Sequence, residues 1–387
     1  MHDVAPQDVC LCSRRHFATS SRVRAAPFSP RSERTATRQP CGRSGVRPLN
    51  YTASLLTCPR RHAPTMKIGM ITDSLPEADF DTMLGVAARL EMDMLEFGCG
   101  NWSSAPHIDL DGMLESATAR REFLAKLADN GIAISALNCS GNPVHPGDEG
   151  RRHDEVTRKT IRLARLLEVD RVVMMSGCPG APGDRHANWI TTEWPPEVRE
   201  IVRWQWEEVL IPYWRNLTSY SRDQGVPHLC LELHGYQNVY SVATLKRLRD
   251  AVGDTVGANL DPSHLMWMGA DPLAAARALG DAIYYVHAKD TRIEPSIAGV
   301  NGVIDTTPGS AYESRAWNYI TLGRGHDESW WRGFVSTLAD VGYDGVLSIE
   351  HEDPAMTSLE GVEESVALLR RVLDARAARN AGSAARA

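Results

Sequence analysis

Four apolar runs in this chain each end in carboxylates or imidazoles: Leu229-Cys-Leu-Glu-Leu-His234, Val256-Gly-Ala-Asn-Leu-Asp-Pro-Ser-His264, Ile283-Tyr-Tyr-Val-His-Ala-Lys-Asp290 and Val346-Leu-Ser-Ile-Glu-His-Glu-Asp353. A buried parallel strand delivers ligands in this way to a site at its C-terminal end. Glu232, Asp261, His287 and Glu350 form an oxygen-rich set with one nitrogen. That set suits Mn²⁺, Mg²⁺ or Co²⁺, whereas Zn²⁺ is compatible but usually takes more nitrogen or sulfur. Taken singly, each residue has an ordinary alternative as a salt-bridge or capping group. Gathered at one apolar barrel top, unpaired carboxylates are costly, and a cation removes that cost.

Alternation along the strands adds a second tier. His234 lies two residues beyond Glu232 and Lys289 two beyond His287, so both face the same side as the ligand before them. His264 follows Asp261 by three residues, just past the strand. A lone His is more often structural than catalytic, yet His234 and His264 stand where they would reach a substrate, and Lys289 would bind one. Trp102, His107, Asn138, Trp267 and Arg324 are further substrate-binding candidates at strand ends or in loops. Capping or packing is the alternative for each, and Glu96 and His145 share that ambiguity. Trp102, Trp189, Trp194, Trp267 and Trp317 would suit stacking on a sugar or an aromatic aglycone, although Trp also packs barrel rims.

The elements that position these groups run from Met66 onward. Apolar runs of four to seven residues alternate with segments of helical period. Strands are expected at 67–72, 92–97, 132–138, 171–176, 228–234, 256–261, 282–287 and 345–350, with one long helix at about 197–224. Eight strand-helix repeats make a single-domain α/β protein, a (β/α)8 TIM barrel over 66–373, with strands apolar throughout because both faces are buried. A doubly wound open sheet is the competitor. It usually carries a Gly-rich phosphate turn after its first strand, and here that position reads Thr-Asp-Ser-Leu-Pro. Glu232 to Asp261 spans 29 residues and Asp261 to His287 spans 26, each about one strand-helix unit, but His287 to Glu350 spans 63. The excess, Thr291 to His326, is expected to lie on the site face as a lid or specificity loop.

Composition sets the outer limits. The net charge is −7 over 387 residues, with 43% hydrophobic content. Residues 1–65 hold eleven Arg, no Lys and only Asp3, Asp8 and Glu33 as acids, about +8, which leaves about −15 for the remainder. This Arg/Ser/Pro-rich leader is disordered on composition, and it reads as a transit-type segment or as a mis-called start ahead of Met66. Nothing reaches the roughly 18 apolar residues of a membrane span, so a cytoplasmic location is the default. The eight Cys show no paired metal-type spacing, and those of the body, Cys99, Cys139, Cys178 and Cys230, read as buried or partly buried free thiols. After Asp374 the Ala/Arg-rich end, residues 374–387, is expected to fray as a flexible tail.

The ordered motifs Leu-Glu-Leu-His (231–234), Asp-Pro-Ser-His (261–264), Val-His-Ala-Lys-Asp (286–290), Leu-Gly-Arg-Gly-His (322–326) and Ser-Ile-Glu-His-Glu-Asp (348–353) together resemble the xylose-isomerase-like TIM-barrel family of sugar phosphate isomerases and epimerases. The resemblance covers about 66–373. It implies that Glu232, Asp261, His287 and Glu350 hold one divalent metal, Mn²⁺ first, and that Glu232 and Glu350 also move protons. The substrate would then be a small carbohydrate whose adjacent carbonyl and hydroxyl oxygens sit on the metal while a base takes the α-proton to give an enediolate. Proton return to the neighbouring carbon isomerises, and return to the opposite face of the same carbon epimerises. Expulsion of a β-substituent would instead make a lyase acting on 3-keto-glycosides, an alternative that the Glu-Leu-His pattern fits. A non-catalytic sugar-binding barrel is the alternative of another class. A DNA-repair endonuclease would need a multi-metal cluster and a basic groove, against which the acidic body argues, so no nucleic acid and no membrane partner is expected. No compact Arg/Lys phosphate clamp is visible, and a homo-oligomer or a partner subunit is left open.

Overall fold

A computed structural model describes residues 66–384. The leader at 1–65 lies outside the described residues. Eight strands close a parallel barrel: β1 (Lys67–Ile71), β2 (Met94–Gly98), β3 (Ala133–Asn138), β4 (Arg171–Met174), β5 (His228–Glu232), β6 (Val256–Leu260), β7 (Ile283–Ala288) and, after a hairpin of β8 (Asp290–Ile293) and β9 (Trp317–Ile320), β10 (Val346–Ile349). Their order around the barrel is β1-β10-β7-β6-β5-β4-β3-β2, and β2 pairs with β1 to complete it. All eight expected strands are present.

Strand parity divides the core. Ala136, Val173, Cys230, Tyr285 and Val346 form one buried cluster that fills the barrel interior. Their neighbours in sequence, Leu137, Val172, Leu229, Leu231, Val286 and Leu347, pack outward with the helices in a second cluster. A fully buried side chain of this size is worth about 1.5–3 kcal/mol, so burial on both faces of the strands holds the barrel together. Close packing also explains Gly69 in β1, where a Cβ would stand 2.6 Å from the Met94 carbonyl oxygen and 2.9 Å from Val346 Cγ2. The cysteines of the body, Cys99, Cys139, Cys178 and Cys230, are buried free thiols, and burial pushes Cys139 and Cys178 up to about 12, which leaves them inert at neutral pH.

Three departures from expectation have local causes. The long helix is interrupted: α-helix at Glu197–Trp204 and Ile211–Asp223 flanks a wider π segment at Gln205–Leu210. Pro212 has no N–H and its ring would strike the carbonyl one turn back, so the chain widens there. Gln205 is buried beside this site and its amide holds the Pro179 and Asn188 carbonyls at 3.1 and 2.8 Å, which ties down the Gly/Pro-rich loop after β4. Secondly, the insertion after β7 is not all loop, because β8 and β9 pair antiparallel from Asp290–Ile320 to Ile293–Trp317. Finally, the last helix runs Ser358–Ala384, ten residues beyond the Asp374 at which fraying is expected. No helix among the described residues is long and apolar enough to cross a membrane.

Candidate metal centre

The register of four neighbouring strands sets the site. Glu232 pairs with Asn259, Leu260 with Val286, and Ser348 with His287, so the C-terminal ends of β5, β6, β7 and β10 converge. One ligand atom from each of Glu232, Asp261, His287 and Glu350 lies within 4.8 Å of all the others. His287 Nδ1 is 3.0 Å from both Glu232 Oε1 and Glu350 Oε2. Asp261 caps the short helix Pro262–Trp267, where its Oδ1 accepts from Ser263 N at 2.8 Å and its Oδ2 is left facing the cluster.

A second carboxylate shell lies beneath. Glu96 of β2 is fully buried, and its oxygens accept from Asn138 Nδ2 and Ser348 Oγ, each at 2.8 Å. They also meet His287 Nε2 at 3.0 and 3.2 Å. With the Nε2 proton donated to Glu96, the Nδ1 lone pair is turned to the ligand cluster, the arrangement by which a carboxylate orients a metal-bound imidazole. Sequence alone left Glu96 undecided between a site group and a capping or packing one. The signal was its place as the lone carboxylate within the apolar run of β2.

These residues fit a divalent cation. Asp261 Oδ2, Glu350 Oε2 and His264 Nε2 are buried without a hydrogen-bond partner, and the 3.1 Å contact between His264 Nε2 and Asp261 Oδ2 lacks hydrogen-bond alignment. Burial alone disfavours a charged imidazole, yet both His287 and His264 are pushed well above the usual range, His287 by Glu96 and Glu350, His264 by Tyr319 and Asp261. Protons on these rings stand in for positive charge that the carboxylates demand and a cation supplies.

Above the cluster opens a cavity of about 310 Å³. His234, His264, Lys289, Asn138 and Trp102 line it together with Glu232 and Glu350. Lys289 Nζ lies 3.3 Å from Glu350 Oε1, 2.5 Å from Glu352 Oε2 and 4.2 Å from the Tyr319 ring centre. Tyr319, on β9, hydrogen-bonds His264 Nδ1 through its hydroxyl at 2.8 Å. Sequence reasoning missed Tyr319, although the period-two run Trp317-Asn-Tyr-Ile320 was the available signal.

Three expected substrate contacts lie elsewhere. His107 is buried, with Nε2 on the Ala78 carbonyl at 2.9 Å, and joins its loop to the turn that precedes the first helix. Trp267 stacks on Trp317 at 4.6 Å with its rings within 4° of parallel, and its edge covers Gly235, where a Cβ would come within 2.5 Å. That stack fixes the hairpin to the helix carrying His264. Arg324 is half-exposed and held bidentately by Glu364 at 2.9 and 3.0 Å, on the outer rim. The Leu-Gly-Arg-Gly-His motif is instead a clasp: the buried Asp290 carboxylate accepts the backbone N–H groups of Gly323, Gly325 and His326.

Comparison with known proteins agrees with this fold. A family model described as xylose isomerase-like TIM barrel matches residues 84–372. The chain belongs to the xylose isomerase-like TIM barrel family. It is 47% identical over 311 residues to the uncharacterized protein YfiH of Bacillus subtilis (strain 168), spanning 80% of this chain and 99% of that protein. The fold is shared with L-ribulose 3-epimerase (TM-score 0.55, 18% identity, 83% of this chain and 98% of the other). It is also shared with the IOLI protein carrying a zinc atom (TM-score 0.54, 17% identity, 80% and 98%).

His234 gives a pH prediction within this family fold. Burial, reinforced by His264, lowers it to about 4, below its unfolded value near 6.5. The unfolded chain therefore binds the proton first, and stability that is complete above pH 6.5 falls as pH drops towards 4, by about 3 kcal/mol at most. Denaturant unfolding of the chelator-treated protein at pH 7.5 and pH 4.5 checks this. His234→Gln is expected to show a correspondingly smaller loss than wild type, and equal losses in the two proteins would contradict the assignment.

Proposed function

We propose that the protein is a divalent-metal-dependent sugar isomerase or epimerase that abstracts a proton next to a carbonyl. The observation carrying this is the convergence of Glu232, Asp261, His287 and Glu350 at the floor of a cavity, with two of the four able to move protons. The family membership supports it. When bound, a divalent cation supplies Lewis acidity toward adjacent carbonyl and hydroxyl oxygens of the sugar.

The chain's own groups divide the remaining work. Glu350 is the more open of the two glutamates, 19% exposed against 3% for Glu232, so it is placed to take the α-proton of a sugar in the cavity. Burial would raise its pKa, but Lys289 and His287 together hold it below the usual range, which keeps it ionised and ready to accept. Glu232, held by His264 at 3.5 Å and His287 at 3.0 Å, faces the sugar from the other side, where it would return a proton that it has first taken from a sugar hydroxyl or from solvent. Tyr319 and Lys289 line the same cavity.

A second reading rests on His234. Its lowered pKa keeps it a neutral base, it lines the cavity, and its ring lies 4.0 Å from His264. Such a base outside the ligand set would suit β-elimination from a 3-keto-glycoside. Incubating the Mn²⁺-loaded protein with ketoses and 3-keto-glucosides and reading products by NMR separates the two. A new ketose, aldose or epimer supports the first reading, and aglycone release without any isomer sinks it in favour of the second.

A further inference from the structure

The cavity wall that carries no metal ligand is also built from polar groups. Asp73 sits in the tight turn Thr72–Ser74 directly after β1 and faces the cavity. Its Oδ1 accepts from Ser103 Oγ, whereas its Oδ2 is buried with no partner. Ser140, after β3, lines the same wall with its hydroxyl unpartnered, while its backbone N–H donates to Asn138 Oδ1 at 2.8 Å. Asn138 in turn holds Glu96, so this wall is fixed relative to the ligand cluster. Trp102, 47% exposed, completes the lining of this wall.

These groups match one ligand chemistry. A carboxylate oxygen and a hydroxyl left without partners accept and donate to vicinal hydroxyls, and an indole face packs against ring C–H groups. Charge restricts the class further. Asp73, Glu232, Glu350 and Glu352 line the cavity with no arginine, and its single lysine, Lys289, is already paired with Glu350 and Glu352. Counting Asp261 and Glu96 beneath, six carboxylates against one ammonium and a doubly charged ion leave three negative charges when all are ionised and the imidazoles are neutral. A phosphate ester needs the opposite field.

We infer that Asp73, Ser140 and Trp102 form a hydroxyl-binding subsite opposite the metal ligands, which takes the distal end of a neutral, unphosphorylated sugar and excludes sugar phosphates. This rests on the proposed sugar chemistry of the same cavity. The full chain loaded with Mn²⁺ is titrated calorimetrically with D-fructose, D-tagatose, D-psicose and a 3-keto-glucoside, and with the 6-phosphates of the ketoses. Exchange of the α-proton with deuterium is followed on the same samples.

A neutral sugar is expected to bind at least about tenfold tighter than any phosphate ester. Asp73→Ala should weaken it about tenfold or more, as loss of a hydrogen bond to a charged group does. Asp73→Asn keeps the shape and is expected to narrow the preference over the ester, a change that a purely structural role would not produce; Ser140→Ala serves if the Asp73 variants fail to fold. Tighter binding of an ester, no binding of any neutral sugar, or affinity unchanged in Asp73→Ala and Ser140→Ala each overturns the subsite. Binding weakened by Asp73→Ala without α-proton exchange in wild type keeps the subsite and defeats the isomerase proposal. Exchange whose KM ignores both variants does the reverse.

Discussion

Glu350→Gln is expected to lower α-proton exchange by about 10²–10⁴-fold, the range for losing a positioned acid-base group, while metal still binds. The amide keeps an oxygen where Glu350 Oε2 lies, 3.0 Å from His287 Nδ1. It cannot accept a proton, and it gives up the charge that faces Lys289 Nζ at 3.3 Å. The loss should therefore fall on kcat more than on metal or sugar affinity. Measuring metal content beside exchange rates separates the two. Full metal occupancy with wild-type exchange would show that Glu350 is a ligand and nothing more.

Glu96→Gln carries the second large effect, and it acts on the metal. Glu96 never reaches the cavity; it fixes which nitrogen of His287 bears the proton. An amide there can turn its NH₂ to Nε2, which lets the proton move to Nδ1 and removes the lone pair that points at Glu232 and Glu350. Loss of such a partner typically costs 10–100-fold in metal affinity. A competition titration with a chelator reads this directly, and Glu96→Asp is expected to recover part of the loss. Affinity unchanged in Glu96→Gln would leave Glu96 as a buried hydrogen-bond group alone.

The contrast between these two glutamates shows how far sequence reaches. Glu350 is legible because it ends an apolar run, and the barrel follows from eight such runs whose strands are buried on both faces. Glu96 sits inside such a run, but its role depends on Ser348, His287 and Asn138 arriving at one height, and that is set by strand register around a closed barrel. Asp73 carries no signal in sequence, because it lies in a short polar turn after β1 that only the closed barrel brings beside Ser140 and Glu350. Tyr319 and Asp290 lie at the ends of a polar insertion, where only the pairing of β8 with β9 shows which side chains turn inward. Arg324 was misplaced for the same reason: the clasp around Asp290 sends the intervening side chain outward to Glu364.

The most direct test of the central claim is deuterium incorporation at the carbon next to the carbonyl, measured across a set of neutral ketoses and 3-keto-glucosides as Mn²⁺ is titrated into chelator-treated protein. The account predicts no exchange without metal, exchange that rises with occupancy and saturates at one ion per chain, and a loss in Asp261→Asn that tracks its weakened metal binding. Exchange that persists at full rate in the metal-free chain, or a fully loaded chain that exchanges no proton in any of these sugars, would contradict it.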